Sequence, residues 1–113
     1  MGVETGAKII YNANVENYLD ALAYKLFHKE YFGFLKTAKD YVDNLTFEIE
    51  RTISIKQHKL APPRFKKFGT HYINIKTTKR TTWYVFFIKN DNKYIIRYIT
   101  NNHVSAHHIR GLK

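Results

Sequence analysis

The chain has 113 residues and a mass of 13.4 kDa, which is the size of a single domain. Nineteen Lys and Arg against nine Asp and Glu give a formal net charge of +10, and 44% of the residues are hydrophobic, a composition that argues against disorder. The absence of Cys excludes a disulfide framework, a thiolate zinc site and a Cys nucleophile. The positive field favours a polyanionic partner, either nucleic acid or an acidic protein.

Nothing in the sequence predicts a membrane partner or an export signal. No apolar run approaches the roughly 18 residues that a transmembrane helix needs. The first six residues lack the basic and apolar regions of a signal peptide. We therefore expect one cytoplasmic domain over residues 1–113, with residues 1–6 flexible.

The first half of the chain predicts a short strand and two helices. The β-prone run 7–11 is followed by Asn14, a good N-cap, which predicts the start of helix one. Its buried stripe is predicted at Val15, Tyr18, Leu19, Leu22 and Leu26. Gly33 is predicted to let the chain turn back.

The periodicity of helix two is the strongest pattern in the sequence. Its apolar residues recur at spacings of 3, 4, 3 and 4: Leu35, Ala38, Val42, Leu45 and Ile49. Two such helices with a short connection predict an antiparallel hairpin.

The second half predicts strands. Pro62 and Pro63 exclude a helical continuation. Alternating or apolar runs at residues 72–76, 83–88 and 94–100 predict three strands, joined by turns at 77–81 and 90–92. The middle run is continuously apolar, which predicts a central strand covered on both faces. We therefore predict an α+β fold: a short N-terminal strand and a helical hairpin packed on a mostly antiparallel sheet of three to four strands.

Familiar catalytic motifs are missing from the sequence. It contains no phosphate-binding glycine loop, no GxSxG and no neighbouring carboxylates suited to acid–base catalysis. His103 and His107 have the i, i+4 spacing of metal ligands, but no acid or Cys lies near them. We interpret them, with His108, as surface histidines and predict neither a metal nor any other cofactor.

The basic residues are the most informative set. Three precede the sheet, three lie at the first hairpin, and His103 should return to the same edge because the third strand of a meander runs parallel to the first. In order they are Arg64, Lys66, Lys67, Lys76, Lys79, Arg80 and His103. Cations that neutralise phosphate, interleaved with aromatic rings, predict an RNA-binding surface. The interleaved rings are Tyr72, Tyr84, Tyr94 and Tyr98.

Two alternatives stay open for these residues. For any single residue, an ordinary solvated surface explains a lysine, and packing at the rim explains a tyrosine. For the whole set, the net charge of +10 favours binding. Arg97 lies among apolar residues, so its side chain either has a structural partner or reaches the open face of the sheet and binds ligand.

The order of elements, together with two strand segments, resembles the RelE/ParE superfamily, the toxins of bacterial type II toxin–antitoxin modules often described as plasmid stabilisation proteins. The segments are TWYVFF at 82–87 and, after a short turn, YIIRYITNNH at 94–103. They are similar to the family's YRVxY strand and its hhhRhhHGRR-like strand end. The resemblance covers about residues 7–110.

This resemblance implies a function and candidate site residues. One branch of the family cleaves mRNA in the ribosomal A site, for which Lys76, Arg80 and His103 are the catalytic candidates by position. Arg64, Lys66, Lys67, Lys79, Arg97 and Tyr98 are then candidates for binding nucleic acid or a partner. Two departures weaken the nuclease assignment: Trp83 stands where many nucleases have an arginine, and Asn101-Asn102-His103 replaces a Gly-Arg-Arg-like strand end.

Three functions remain possible from the sequence. The first is ribosome-dependent cleavage of mRNA, the second is inhibition of DNA gyrase without catalysis, and the third is a binding module without toxicity. A cognate antitoxin is the partner that the resemblance implies. The charge of this chain predicts that the antitoxin has an acidic, disordered segment that folds on contact with the basic residues.

Overall fold

The computed structural model describes residues 7–103 and shows two helices packed on one face of a five-stranded sheet. The helices are α1 (Ala13–His28) and α2 (Leu35–Thr52). The strands are β1 (Lys8–Tyr11), β2 (Lys59–Leu60), β3 (His71–Thr78), β4 (Thr81–Asn90) and β5 (Lys93–Asn101). A short 3-10 helix, Pro63–Phe68, precedes β3. The expected flexibility of residues 1–6, and His107 and His108, lie outside the described residues.

The α+β prediction is confirmed, and the sheet is larger and more mixed than expected. Its strand order is β1-β5-β4-β3-β2, with β1 parallel to β5 and the other neighbours antiparallel. The strand missed by the sequence analysis is β2, whose two residues pair with the start of β3. A strand of two residues is too short to show periodicity in the sequence. It forms one edge of the sheet, and so short an edge strand exposes few unpaired backbone groups.

Both helices bury the predicted stripes. In α2 the residues Ala38, Val42, Leu45 and Ile49 are all buried. In α1 the residues Val15, Leu19 and Leu22 are buried, and Tyr18 and Leu26 are half-buried against the core. The helix begins after Asn12 and not after Asn14. Asn14 lies in the first turn, where its side-chain amide donates to the carbonyl of Arg97 at 3.1 Å. A long-range contact has therefore taken the side chain that the sequence suggested as a local cap.

The turn between the helices does not depend on Gly33. The left-handed residue that ends α1 is Glu30, with φ of 61°, and a Cβ built on Gly33 would meet nothing within 4 Å. The amides of Glu30 and Tyr31 donate to the carbonyls of Phe27 and Leu26, which is the Schellman pattern of a helix end. We correct the prediction for Gly33 accordingly.

The central strand β4 is covered on both faces, as predicted. On the helix face, Trp83, Val85 and Phe87 pack with α1 and α2 in the main core. On the opposite face, Tyr84 and Phe86 form a second cluster with four other rings and one small residue: Ala61, Phe65, Phe68, Tyr72 and Tyr98. The 3-10 helix is therefore held to the opposite face by aromatic packing.

Gly69 allows the chain to pass from the 3-10 helix into β3. A Cβ at this position would lie 2.8 Å from both the backbone nitrogen and the carbonyl oxygen of Phe87. Only a glycine tolerates so close an approach of two backbones. The 3-10 helix can thus lie directly over the sheet.

Candidate nucleic-acid interface

Charge is divided unevenly between the helical part and the sheet part of the molecule. Residues 7–52 contain six Lys and Arg against seven Asp and Glu, whereas residues 53–103 contain eleven Lys and Arg against one acid, Asp91. The first segment forms β1 and both helices, and the second segment forms the 3-10 helix and the other four strands. A polyanion would therefore be attracted to the sheet side of the molecule.

One end of the sheet is held together by Asn102. Its Nδ2 donates to the carbonyl of Arg80 at 2.9 Å, and its Oδ1 accepts from the amide of Thr82 at 2.9 Å. Its own backbone amide donates to the carbonyl of Thr82 at 3.1 Å. These three bonds fix the end of β5 to the β3–β4 turn, and we call them the Asn102 clamp.

The three catalytic candidates come together at this end. Arg80 lies in the β3–β4 turn, and Lys76 pairs in register with Thr82, the residue that the clamp holds. His103 follows directly, with its Nε2 2.9 Å from the Oγ1 of Thr81 and its backbone amide donating to Asn101 Oδ1. All three side chains, and that of Lys79 in the same turn, are exposed. The cations are therefore available to an anionic ligand.

A second basic group lies on the 3-10 helix. Arg64, Lys66 and Lys67 are exposed there, above a helix that Phe65 and Phe68 attach to the sheet. Phe65 stacks on Phe86, which lies four positions along β4 from Thr82. At about 3.3 Å per residue, Thr82 and Phe86, which mark the two basic groups on β4, are roughly 13 Å apart. Both groups lie on the face opposite the helices, where they could contact separate phosphates of one strand.

Arg97 is the extra residue of a β-bulge. Phe86 pairs with Tyr98 and Phe87 pairs with Ile96, so that Arg97 is left between two registers. Its carbonyl accepts from Asn14, and its side chain is half-buried. No ion pair to Arg97 occurs among residues 7–103. Because of the bulge, Ile96 lies on the helix face and Tyr98 on the opposite face, although residues two apart in a regular strand share a face. The alternation of faces along β5 is therefore interrupted at Arg97.

The four interleaved tyrosines do not form the expected stacking surface. Tyr72, Tyr84 and Tyr94 are buried, and Tyr94 lies in the main core on the helix face. Tyr98 is stacked on Phe68 with ring centroids 3.9 Å apart. These rings are occupied by the protein itself, so they stabilise the sheet and the 3-10 helix.

Trp83, where the resemblance would place an arginine, is a core residue. It is 1% exposed, packs on Tyr18, and donates from Nε1 to the hydroxyl of Tyr41 at 2.9 Å. The Tyr41 hydroxyl accepts this bond and forms a second hydrogen bond of 2.7 Å with Thr77 Oγ1. This network joins α2 to β3 and β4. Residue 83 therefore points away from the face that bears Lys76.

Proton transfer and charge stabilisation are the chemistry open to this end of the sheet. The imidazole of His103 can act as a proton donor or acceptor, and Lys76 and Arg80 can stabilise negative charge on a phosphate. Asp91, the acid of this segment, lies in the opposite turn. Within residues 7–103 there is no group of three or more His, Cys, Asp or Glu that could hold a metal ion.

The burial of three tyrosines predicts a loss of stability at alkaline pH. Burial raises the pKa of Tyr11, Tyr18 and Tyr84 above the ordinary value of about 10, and at Tyr11 a hydrogen bond of 2.8 Å to Glu50 Oε2 adds to the shift. The unfolded chain ionises first, so the stabilisation is complete below about pH 10 and is lost as the pH rises toward the higher pKa values of the folded state.

We expect Tyr11→Phe to flatten this alkaline decline. Urea midpoints measured between about pH 8 and pH 11 would test it, since that interval spans the ordinary tyrosine pKa. Glu50→Gln keeps an acceptor oxygen but removes the charge, and it should give an intermediate slope. If the urea midpoint of Tyr11→Phe fell as steeply with pH as that of the parent chain, Tyr11 would not contribute to the alkaline loss of stability.

Two features of this surface were missed by the sequence analysis. The Asn102 clamp depends on contacts between residues about 20 positions apart. Two asparagines after a strand do not indicate in the sequence which residues they will contact. The second feature is a pair of exposed rings, Tyr31 at 65% and Phe34 at 75%, in the loop between the helices. The sequence did carry a signal for it: Phe34 stands just before the first apolar residue of α2, where a Ser, Thr, Asp or Asn cap is expected.

Comparison with known proteins gives no relative. No family model matches the chain, and no curated protein and no solved structure is significantly similar to it. In the described part of the chain, neither helix has the length and apolar character needed to cross a membrane.

Proposed function

We propose that this protein is the toxin of a type II toxin–antitoxin module of the RelE/ParE kind and acts by ribosome-dependent cleavage of mRNA. Two observations support the proposal. The order of elements, a strand, a helical hairpin and a three-stranded meander, agrees with the order on which the resemblance rests. The excess of cations on the sheet side suits a nucleic-acid ligand.

The Asn102 clamp is the observation that carries the catalytic part of the proposal. It holds the turn that bears Arg80 next to the strand end that bears His103, with Lys76 one register pair away. In cleavage of this kind the 2′-hydroxyl of a nucleotide attacks the adjacent phosphate and the 5′-oxygen leaves. His103 would exchange a proton with one of these oxygens, while Lys76 and Arg80 stabilise the charge that develops on the phosphate.

Inhibition of DNA gyrase is the second candidate, because the strand end is built for structure. The side chain of Asn102 is used in the clamp, and that of Asn101 accepts from the amide of His103. Neither supplies the guanidinium that the resemblance would place there. A toxin that binds gyrase, or a binding module that is not toxic, needs no such group.

Expression with and without a neighbouring acidic reading frame tests the module. We expect growth arrest from this chain alone and relief on co-expression of the antitoxin. Harmless expression in the native host would instead favour the non-toxic binding module, and an acidic partner that gave no relief would contradict the antitoxin assignment.

Sequencing of RNA ends tests the branch. We expect cuts phased with codons, and at least a hundredfold fewer from Lys76→Ala/Arg80→Ala/His103→Ala, since an acid–base group alone contributes about 10²–10⁴-fold. Lys8→Ala/Lys93→Ala removes the same two formal charges from exposed register partners at the other end of the sheet, and it should cut normally. Undiminished cutting by the triple variant would overturn the site. Loss of DNA supercoiling without any RNA cleavage would establish the gyrase branch.

A further inference from the structure

Two aromatic rings project into solvent from the loop between α1 and α2, residues 29–34. Tyr31 is 65% exposed and Phe34 is 75% exposed, whereas Phe32 between them packs on Tyr41 with ring centroids 5.4 Å apart. The loop therefore uses one ring to attach itself to α2 and leaves two rings without substantial burial.

Neither exposed ring occupies a position that serves the stability of the fold. Phe34 is the N-cap of α2 and forms no side-chain cap, although Ser, Thr, Asp or Asn at such a position would stabilise the helix. Tyr31 belongs to the helix end at which Glu30 takes the left-handed conformation, a conformation that favours glycine. Capping of the helix ends therefore does not explain the two rings, and two large apolar side chains exposed within four residues suggest contact with a ligand.

The loop lies at the end of the molecule that carries the catalytic candidates. Phe32 contacts Tyr41, and the hydroxyl of Tyr41 is 2.7 Å from Oγ1 of Thr77, which follows Lys76 in β3 and precedes the basic turn. Lys29 at the start of the loop is exposed as well. These two contacts place the loop at the same end of the molecule as the β3–β4 turn, on the helix side of the sheet, whereas Lys76 lies on the opposite face.

We propose that Tyr31 and Phe34 form a stacking surface for the unpaired bases of a single RNA strand whose phosphates are bound by Lys79 and Arg80 of the β3–β4 turn. The inference rests on the proposed function in that the ligand is RNA, but it requires no cleavage. Every base offers a face on which an aromatic ring can stack, and exposed cations at the same end of the molecule favour a nucleic acid over an uncharged apolar partner. In this proposal the bases stack on the two loop rings, because the tyrosines of the sheet are buried.

Binding of a 2′-O-methyl oligoadenylate of about 12 nucleotides, a length within the range of single-strand sites, tests the proposal because this strand cannot be cleaved through its 2′-oxygen. The variant is Tyr31→Ser/Phe34→Ser, in which the serine introduced at the N-cap position can cap α2, so folding is preserved. We expect at least a tenfold loss of affinity, because two stacked bases lose their rings. Affinity for inorganic polyphosphate, which has charge but no bases, should change less than about twofold, and the salt dependence should be unchanged.

Phe47→Ser is the matched control, because Phe47 is 62% exposed on the second half of α2, away from the loop. It should leave both affinities unchanged. Equal losses for the oligoadenylate and polyphosphate, an unchanged oligoadenylate affinity, or no binding by the parent chain would each overturn the stacking surface. A normal stacking result together with absent RNA cleavage in cells would overturn the nuclease proposal alone.

Discussion

Replacing Phe86 with alanine is expected to lower the free energy of unfolding by about 3–5 kcal/mol, the usual range for a fully buried phenylalanine. The ring is 0% exposed and contacts four others on the face opposite the helices. It stacks on Phe65 at 5.1 Å and lies 5.3 Å from Tyr72, 6.1 Å from Tyr98 and 6.3 Å from Phe68. Since domains are stable by only about 5–15 kcal/mol, this loss is a large share of the total.

The second cluster also holds the 3-10 helix, so the variant should have a local effect. Arg64, Lys66 and Lys67 are exposed trypsin sites on that helix, and we expect faster cleavage there when its main support is removed.

Urea unfolding followed by the fluorescence of Trp83, the single tryptophan, gives the global effect. Phe47→Ala, at a 62% exposed ring, should cost no more than about 0.5 kcal/mol. Equal costs for the two variants would show that the second cluster does not stabilise the sheet. If Phe86→Ala does not fold, Phe86→Leu should still lose more free energy of unfolding than Phe47→Ala, although less than expected for Phe86→Ala.

Replacing Asn102 with alanine is expected to reduce RNA cleavage by about a hundredfold, because a displacement of about 1 Å at a catalytic group can cost that much. The variant loses the bonds from Nδ2 to the carbonyl of Arg80 and from the amide of Thr82 to Oδ1. The β3–β4 turn is then no longer fixed to β5, while Lys76, Arg80 and His103 remain present. Asn102 is a positioning residue in this proposal, since it acts through the turn.

Stability and activity should separate in this variant. Loss of two hydrogen bonds to exposed or half-buried groups costs about 1–3 kcal/mol, so the chain should remain folded. Asn102→Asp keeps the acceptor for Thr82 but loses the donor to Arg80, and its cleavage rate should fall between those of the parent chain and the alanine variant. Asn92→Ala, in the other turn of the meander, is the control and should cut normally. Unchanged cutting by Asn102→Ala would mean that the reaction takes place elsewhere. Hydrogen exchange at the amides of the turn would show whether the clamp had opened.

Local and periodic features were predictable from the sequence. The stripes of α1 and α2, the three long strands and the burial of residues 83–87 follow from patterns that repeat every two or every 3.6 residues, and the tertiary structure agrees with them. The surplus of cations in the second half is likewise a property of composition. The prediction that the third strand of the meander runs parallel to the first followed from two short turns and is confirmed.

Contacts between distant residues were decided only by the tertiary structure. Asn14 was assigned as a cap because a cap is a local interaction, but the side chain bonds to Arg97, 83 positions away. Tyr72, Tyr84 and Tyr94 have the spacing of a binding surface, yet burial by the helices, the 3-10 helix and neighbouring strands removes them from it. The bulge at Arg97 and the Asn102 clamp each depend on how one strand aligns with the next, and register is set by packing across the whole sheet. The sequence determines which residues are apolar or charged, whereas the fold determines which of them remain exposed for a ligand to touch.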